Sequence, residues 1–191
     1  TVGARIEAIT DATWSASENG AYLSFYTTDG NAAQSEMFRI DNASKISLSN
    51  NDLGTSNTVF GKSAGAAIVS GTNYNVLIGE EAGNDLDAGD DNVAIGYQAM
   101  DVLTDGNKNT VIGHGALGAA DAGESANVVI GHSAMLSADE GASGTIDQNV
   151  AIGTDALKGG SLSSGSVTLN VAIGYQALKS TGVNPQTGTT A

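Results

Sequence analysis

Hydrophobic and polar positions follow a repeating pattern over most of this chain. From about residue 57 to about residue 180, an Asn is followed by three apolar or nearly apolar residues and then by Gly. We call this five-residue unit the strand phrase. It occurs seven times, at intervals of 17 to 22 residues. A fixed phrase at a nearly fixed period is typical of stacked-repeat architectures. The phrases occupy residues 57–61, 75–79, 92–96, 109–113, 127–131, 149–153 and 170–174.

Residues 1–56 lack the strand phrase and show a different pattern. Short runs of alternating apolar and polar residues at 4–9, 22–26, 37–40 and 45–48 are separated by turn residues such as Asn, Asp and Gly. Alternation bounded by such residues predicts strands of an antiparallel meander. One face of this meander is expected to carry Leu23, Phe25, Phe38 and Ile40. Four short strands make a small core, so we expect this unit to lean on a partner or on copies of itself.

The three positions between Asn and Gly predict how the repeats are covered. Side chains in a strand alternate between its two faces, so the first and third positions share one face and the middle position lies on the other. Because all three are apolar or nearly so, both faces should be covered. We assign the first and third positions to the solenoid's own interior. The third-position residues, expected in the solenoid core, are Phe60, Ile78, Ile95, Ile112, Ile130, Ile152 and Ile173.

The middle position then needs a different cover, for which the simplest candidate is an identical chain. Small residues at several of these positions would let strands approach a crowded axis, and three chains are the natural number for a thin rod. The alternative is a single chain with a second layer over that face. The residues expected at the trimer interface are Val59, Leu77, Ala94, Val111, Val129, Ala151 and Ala172.

The polar ends of the strand phrase have expected structural roles. The Gly should lie where φ is positive or where backbones approach closely. The Asn should bond to nearby backbone, and the seven Asn residues could stack as a ladder. The frequent Gly and Asn argue against helix. Residues 57–180 are therefore expected to form the shaft, and residues 181–191 a linker or an incomplete coil.

Composition and charge exclude several classes of partner. A formal charge of -14, with only seven Lys and Arg, argues against nucleic acid and against an anionic membrane surface. No apolar run approaches the roughly 20 residues that span a bilayer. The absence of Cys excludes disulfides and thiolate metal sites. Because Thr1 is not an initiator Met, we expect the sequence to be processed or to belong to something longer.

Candidate chemistry is sparse, and each candidate has a plain structural alternative. His114 and His132 follow the Gly in adjacent repeats and could come close enough to hold a metal. No third ligand is evident at the same position of the other repeats, where the residues are those of a solvent-exposed column. Tyr97 and Tyr175 could stack on sugar rings or be ordinary surface residues. No cofactor is expected. Clustered carboxylates can bind calcium, although solvated loop charge is the simpler interpretation; the weak calcium candidates are Asp85, Asp87, Asp90 and Asp91.

Catalysis is not expected from these residues. Glycoside hydrolysis needs two carboxylates at a defined separation in a cleft, and no pair here has an aromatic-rich surround. Trp14 is the only Trp, and Ser, His and Asp form no nucleophile motif. The longer loops at 136–148 and 158–169 break the period, so they are the expected contact regions if the chain binds a surface.

The sequence resembles the repeats of bacteriophage tail fibres. Residues 92–100 and 170–178 resemble their N-x-A-I-G-Y-x-A-L phrase, and residues 3–6, 23–28 and 35–41 resemble the segment that often precedes it. A second resemblance is to the heads of trimeric autotransporter adhesins, whose N-S-V-A-I-G repeats are shorter. Both resemblances imply a trimeric, surface-displayed fibre whose role is attachment.

The expected protein is therefore an all-β, elongated trimeric β-solenoid or β-roll of about seven repeats, preceded by a small antiparallel β-meander. Its expected role is structural, as a segment of a phage tail fibre on the virion that supports attachment to the host cell. Its expected partners are two identical chains, other virion or fibre subunits, and a host surface glycan or protein. The alternative is a bacterial surface adhesin or extracellular filament. A polysaccharide depolymerase tailspike is the third class.

Overall fold

The computed structural model describes residues 3–10, 21–28, 34–40, 46–47, 56–69, 71–120, 123–137, 145–159, 166–179 and 186–187. The chain divides into two compact units, Thr1–Asn51 and Asp52–Ala191. The described residues contain strands and turns and no α-helix, which confirms the all-β prediction.

The first unit is a four-stranded antiparallel sheet in the order β1-β2-β3-β4. Its strands are β1 Ala4–Thr10, β2 Ala21–Thr28, β3 Gln34–Ile40 and β4 Ile46–Ser47. Across the β2–β3 pair, Leu23 lies opposite Ile40 and Phe25 lies opposite Phe38. The antiparallel pairing of successive strands confirms the predicted meander.

The second unit contains a parallel sheet with one strand from each phrase. Neighbouring strands pair with the same phrase positions opposite one another, so that Ala94 lies opposite Leu77 and Val111. Each repeat therefore makes one coil of a β-solenoid, as predicted, and we call the same position in successive coils a column. The seven strands are β5 Thr58–Phe60, β6 Val76–Ile78, β7 Val93–Ile95, β8 Thr110–Ile112, β9 Val128–Ile130, β11 Val150–Ile152 and β13 Val171–Ile173.

A second, shorter parallel sheet forms in the last coils, in the order β10-β12-β14. Its strands are β10 Ile146–Asp147, β12 Val167–Thr168 and β14 Gln186–Thr187. Gln186 lies opposite Val167, and Thr187 lies opposite Thr168. The end of the chain thus begins a further coil, which favours the incomplete-coil interpretation over a linker.

The middle column lies inside the solenoid, which corrects the sequence assignment of these residues to a trimer interface. Their side chains have no exposed area, except for Val59, which is half-buried against the same core. A side chain already buried within its own chain cannot contact a second copy. The residues corrected in this way are Val59, Leu77, Ala94, Val111, Val129, Ala151 and Ala172.

The third column correspondingly faces outward, so its assignment to the solenoid core was wrong. Phe60 is 69% exposed, Ile173 is 57% exposed and Ile112 is 36% exposed. Its other members are half-buried, because identical side chains in the coils above and below cover part of each one. The residues corrected here are Phe60, Ile78, Ile95, Ile112, Ile130, Ile152 and Ile173. Alternation along the strand was correctly predicted, and only its direction was inverted.

The interior is filled by apolar side chains, which in two coils form complementary pairs of a large and a small residue. The Ala three residues after each phrase Gly adds a second inward column, buried in most coils. Where the middle position holds Leu77, the residue four after the phrase Gly is Gly83, and a Cβ there would lie 2.8 Å from Leu77 Cδ2. Where the middle position holds the smaller Ala94, the corresponding residue is the fully buried Met100. In these two coils, a large residue in one column is therefore matched by a small residue in the other, whereas Val111 and Val129 occur with the large Leu117 and Met135.

Candidate functional site

The phrase Asn residues form a continuous ladder between coils, as expected. The backbone N–H of each Asn donates to the side-chain Oδ1 of the Asn in the preceding coil, at 2.9–3.1 Å over all six steps. From Asn75 to Asn170 these residues have no exposed area, and Asn57 is 6% exposed. Because buried polar groups need hydrogen-bond partners, this column depends on Asn at every step.

The same carboxamides also join the coils through their amide donors. In the first six phrases, the Asn Nδ2 donates to a backbone carbonyl of the next coil, three residues before that coil's own Asn, at 2.6–2.8 Å. Asn109, for example, donates to the Glu124 carbonyl and accepts from the Asn127 N–H. A carboxamide has both donors and acceptors, so neither Asp nor Leu can replace it in both roles.

A second ladder, which the sequence analysis missed, lies two residues before the phrase Asn. The N–H of Asn73 donates to Asp90 Oδ1, and the N–H of Asp90 donates to Asn107 Oδ1. Ser125 and Asp147 continue the column with the same geometry. In the sequence, this ladder is marked by a short polar side chain that can accept a hydrogen bond, at the same position in five successive coils. Such residues are also common in ordinary loops, so the signal is weak.

The phrase Gly lies at the closest approach between coils, and both expected reasons for Gly are confirmed. The seven residues have φ of 131 to 144°, a backbone conformation that L side chains rarely adopt. A Cβ on Gly96 would also lie 2.6 Å from the carbonyl oxygen of Gly113 in the next coil. These glycines therefore set the spacing of the coils.

The outward face of the seven-stranded sheet is the most distinctive surface of this unit. It consists of the first and third phrase positions, which we call the outer columns. They contain Val, Ile, Thr and one Phe, and no ionisable side chain. Apart from the exposed Thr58, Phe60, Ile112 and Ile173, their members are half-buried within the single chain. The first-position residues are Thr58, Val76, Val93, Thr110, Val128, Val150 and Val171.

A short stack of rings runs beside the outer columns, immediately after the phrase Gly. The rings of His114 and His132 stack at 4.9 Å with an angle of 9° between their planes, and Tyr97 lies 5.1 Å from His114. The predicted proximity of the two His residues is therefore confirmed. The Tyr97 ring is tilted by 35° against His114 and is 43% exposed, and the sugar stacking that we considered from the sequence stays a prediction.

The structure does not assemble the weak calcium site considered from the sequence. Within the described ranges, no three His, Cys, Asp or Glu side chains are placed to hold a metal ion. Asp90 accepts the Asn73 N–H, and Asp85 accepts a bond from Asn84. Asp87 and Asp91 are exposed. Asp90 therefore serves as a ladder acceptor, and Asp85, Asp87 and Asp91 carry exposed loop charge.

Ion pairs join neighbouring coils at two exposed places. Lys62 Nζ lies 2.9 Å from Glu80 Oε1, and this hydrogen bond and charge raise the pKa of Lys62. Asp155 contacts Lys179 at 2.9 Å and Lys158 at 3.2 Å. Hydrogen bonds from Lys179, and then from Lys158, lower the pKa of Asp155 to about 2. Burial raises the pKa of Asp101.

An open depression of about 530 Å³ lies on the β1–β2 pair of the first unit. It is lined by Arg5, Ile6, Phe25 and Tyr26 with their neighbours, and none of the lining residues bears a carboxylate. Arg5 lies over the Tyr26 ring at 4.1 Å and pairs with Glu7 at 3.0 Å. Arg5, the charged residue that lines the depression, is thus already bonded to Glu7 and stacked on Tyr26, and the described lining contains no acid–base pair.

Comparison with known proteins adds no named relative. No family model, curated protein or solved structure matches this chain. In the part of the chain that the structure describes, no helix is long and apolar enough to cross a membrane. The candidate site is therefore defined by geometry alone: a repeated sheet whose outward face is apolar and uncharged.

Proposed function

We propose that this chain is a structural segment of a bacteriophage tail fibre, a virion appendage that supports attachment to the host cell surface. It would be present as a homotrimer and connect to other virion or fibre subunits. Residues 57–180 would form the shaft, and contact with a host glycan or protein would come from loops or from regions beyond the shaft. The observation that carries the proposal is the β-solenoid built from the strand phrase, which at residues 92–100 and 170–178 extends to resemble the N-x-A-I-G-Y-x-A-L phrase of tail fibres.

The interactions between coils suit a load-bearing shaft. Each coil is joined to the next by strand pairing, by two side-chain ladders and by the close Gly contacts. Because every coil contacts only its neighbours, such a stack lengthens without a change in its cross-section. A stiff shaft that presents several identical contact sites gains avidity, since later contacts become intramolecular.

The described residues offer little support for catalysis. The carboxylates of Asp90 and Asp147 bond to backbone N–H groups, and that of Asp155 bonds to lysines. The two His residues stack on each other rather than facing a carboxylate. This arrangement supports a structural role over the depolymerase alternative, which would need a pair of carboxylates across a cleft.

Antibody labelling tests the proposed location. Antibodies raised against residues 57–180 should decorate fibres of phage particles in electron micrographs, and they should block adsorption to host cells. Labelling of uninfected bacterial cells instead would replace this proposal with the surface-adhesin alternative. Release of reducing sugars from host polysaccharide by the purified chain would establish the depolymerase and overturn the structural role.

A further inference from the structure

We propose that His114 and His132 form a two-histidine binding site for a divalent transition-metal ion. The two side chains are exposed, and they come from the same position in two neighbouring coils. They are the only His residues in the chain, and the fold brings them together. The inference does not depend on the proposed fibre function, because the same site would exist in a phage fibre and in a bacterial filament.

Hydrogen bonds between the coils fix the backbone on both sides of this pair. The N–H of Gly131 donates to the carbonyl of Ile112 at 2.8 Å, just before the two His residues. The N–H of Ser133 donates to the carbonyl of His114 at 2.9 Å. The two side chains therefore start from a fixed backbone spacing, and a metal ion that joins them does not have to order the chain first. Such preorganisation lowers the entropic cost of binding.

The rings lie close to the separation that a shared ion requires. Their centroids are 4.9 Å apart, and metal–nitrogen bonds of ~2.0–2.1 Å place two ligand nitrogens about 3.0–3.4 Å apart. Each nitrogen must therefore move toward the other by less than about 1 Å. Within the described part of the chain, neither imidazole makes a hydrogen bond or an ion pair that would oppose this movement.

The ligand type and the surrounding charge indicate which ions would bind. Imidazole suits zinc, copper and nickel, whereas calcium and magnesium prefer oxygen ligands. The same position in the coils on either side holds Tyr97 and Thr154, so no lysine or arginine there competes with the ion. The net charge of -14 attracts cations to the whole chain. Water would complete the coordination, because two protein ligands leave the other positions of the ion open.

A bound ion would join the coil that contains β8 to the coil that contains β9. The folded chain offers both rings to one ion, whereas the unfolded chain offers two separate side chains. Ligands that bind the folded state more tightly raise its stability by mass action. At a free-ion concentration ~100 times the dissociation constant, the Tm should rise by up to roughly 10 °C for a chain of this size.

Zinc titration of the unmodified chain tests the site directly. Because the chain contains only two His residues, selective ¹⁵N labelling of His gives imidazole NMR signals that come from this pair alone. Both sets of signals should change together as Zn²⁺ is added, and the change should be complete at one ion per chain. Ca²⁺ at the same concentration should leave both sets unchanged. The titration reads both rings without any substitution.

Substitutions then test whether the two rings act on one ion. His114→Gln and His132→Gln should each raise the dissociation constant for Zn²⁺ by ~100-fold or more, because the second contact to the ion is no longer intramolecular. Each should also abolish the rise in Tm. The matched control is Asp87→Asn with Asp91→Asn, which removes two exposed loop carboxylates and should leave the dissociation constant within about twofold of the parent value.

Three outcomes would overturn the proposal. One is the absence of any change in the imidazole signals at millimolar Zn²⁺, and another is a change confined to one of the two His residues. The third is binding that persists in both Gln variants and weakens in the Asp variant, which would assign the ion to the loop carboxylates. None of these outcomes bears on the antibody labelling that tests the fibre function, so the two proposals can fail separately.

Discussion

The phrase Gly gives the sharpest test of how the coils stack. Gly96→Ala should destabilise the chain for two separable reasons. Its φ of +136° is unfavourable for an L residue, which costs about 1–3 kcal/mol. The new Cβ would also lie 2.6 Å from the carbonyl oxygen of Gly113, and relieving that overlap by separating the coils costs a further ~1–3 kcal/mol.

Two other glycines separate these contributions. Gly71 has a φ of +106°, and a Cβ added to it would have no other atom within 4 Å, so Gly71→Ala should show the conformational cost alone. Gly159 has neither constraint, and Gly159→Ala should be neutral or stabilising by ~0.4–1 kcal/mol.

The assay is equilibrium denaturation of the three variants beside the parent chain. Gly96→Ala should lose about 2–6 kcal/mol in total, equivalent to a fall in Tm of roughly 5–20 °C for a chain of this size. Gly71→Ala should fall between Gly96→Ala and Gly159→Ala. If Gly96→Ala is no less stable than Gly71→Ala, close approach between the coils does not require Gly, and the reasoning is refuted.

Three further predictions concern the ladder, the ion pairs and the core. Asn109→Ala should cost about 2–5 kcal/mol in chemical denaturation, because it leaves two buried backbone groups without partners, whereas Asn84→Ala outside the ladder should have little effect. Asp155→Asn should lower Tm near neutral pH. The folded pKa of Asp155 is about 2, below the unfolded value of about 3.9, so the difference in Tm from the parent chain should shrink as pH falls from about 4 to about 2. A difference in Tm that does not change with pH would contradict the assigned pairing. Ala94→Leu should lower the free energy of unfolding by about 1–3 kcal/mol through overpacking. In a double-mutant cycle, adding Met100→Gly should recover part of that loss. Strictly additive effects would show that the two sites do not share volume.

The sequence was sufficient to predict the architecture, because its strongest signals are local and periodic. The strand phrase predicted one strand per coil, and the Asn and Gly at its ends predicted the ladder and the close approach. All of these depend on the residue types themselves. Alternation between strand faces was also predictable, since it follows from backbone geometry.

The direction of the alternation was not predictable from polarity, because both faces of the strand are apolar. Residue volume held the missing information. In two neighbouring coils, Leu77 occurs with Gly83 and Ala94 occurs with Met100, and this local exchange of size favours a shared, confined interior for the two positions. The second polar ladder was missed for a related reason, since Asp90 and Asn107 resemble ordinary loop residues until strand register places them one above the other.

The central claim is that one phrase builds a core inside the solenoid and an uncharged face outside it. Thiol labelling tests this most directly, because the chain contains no Cys and single Cys substitutions can be followed without background. Ala172→Cys and Ile173→Cys are compared in the folded chain, because Ala172 has no exposed area and Ile173 is 57% exposed. We expect the thiol at position 172 to be labelled only after unfolding, and the thiol at position 173 to be labelled faster in the folded chain. The opposite order of labelling would contradict the account.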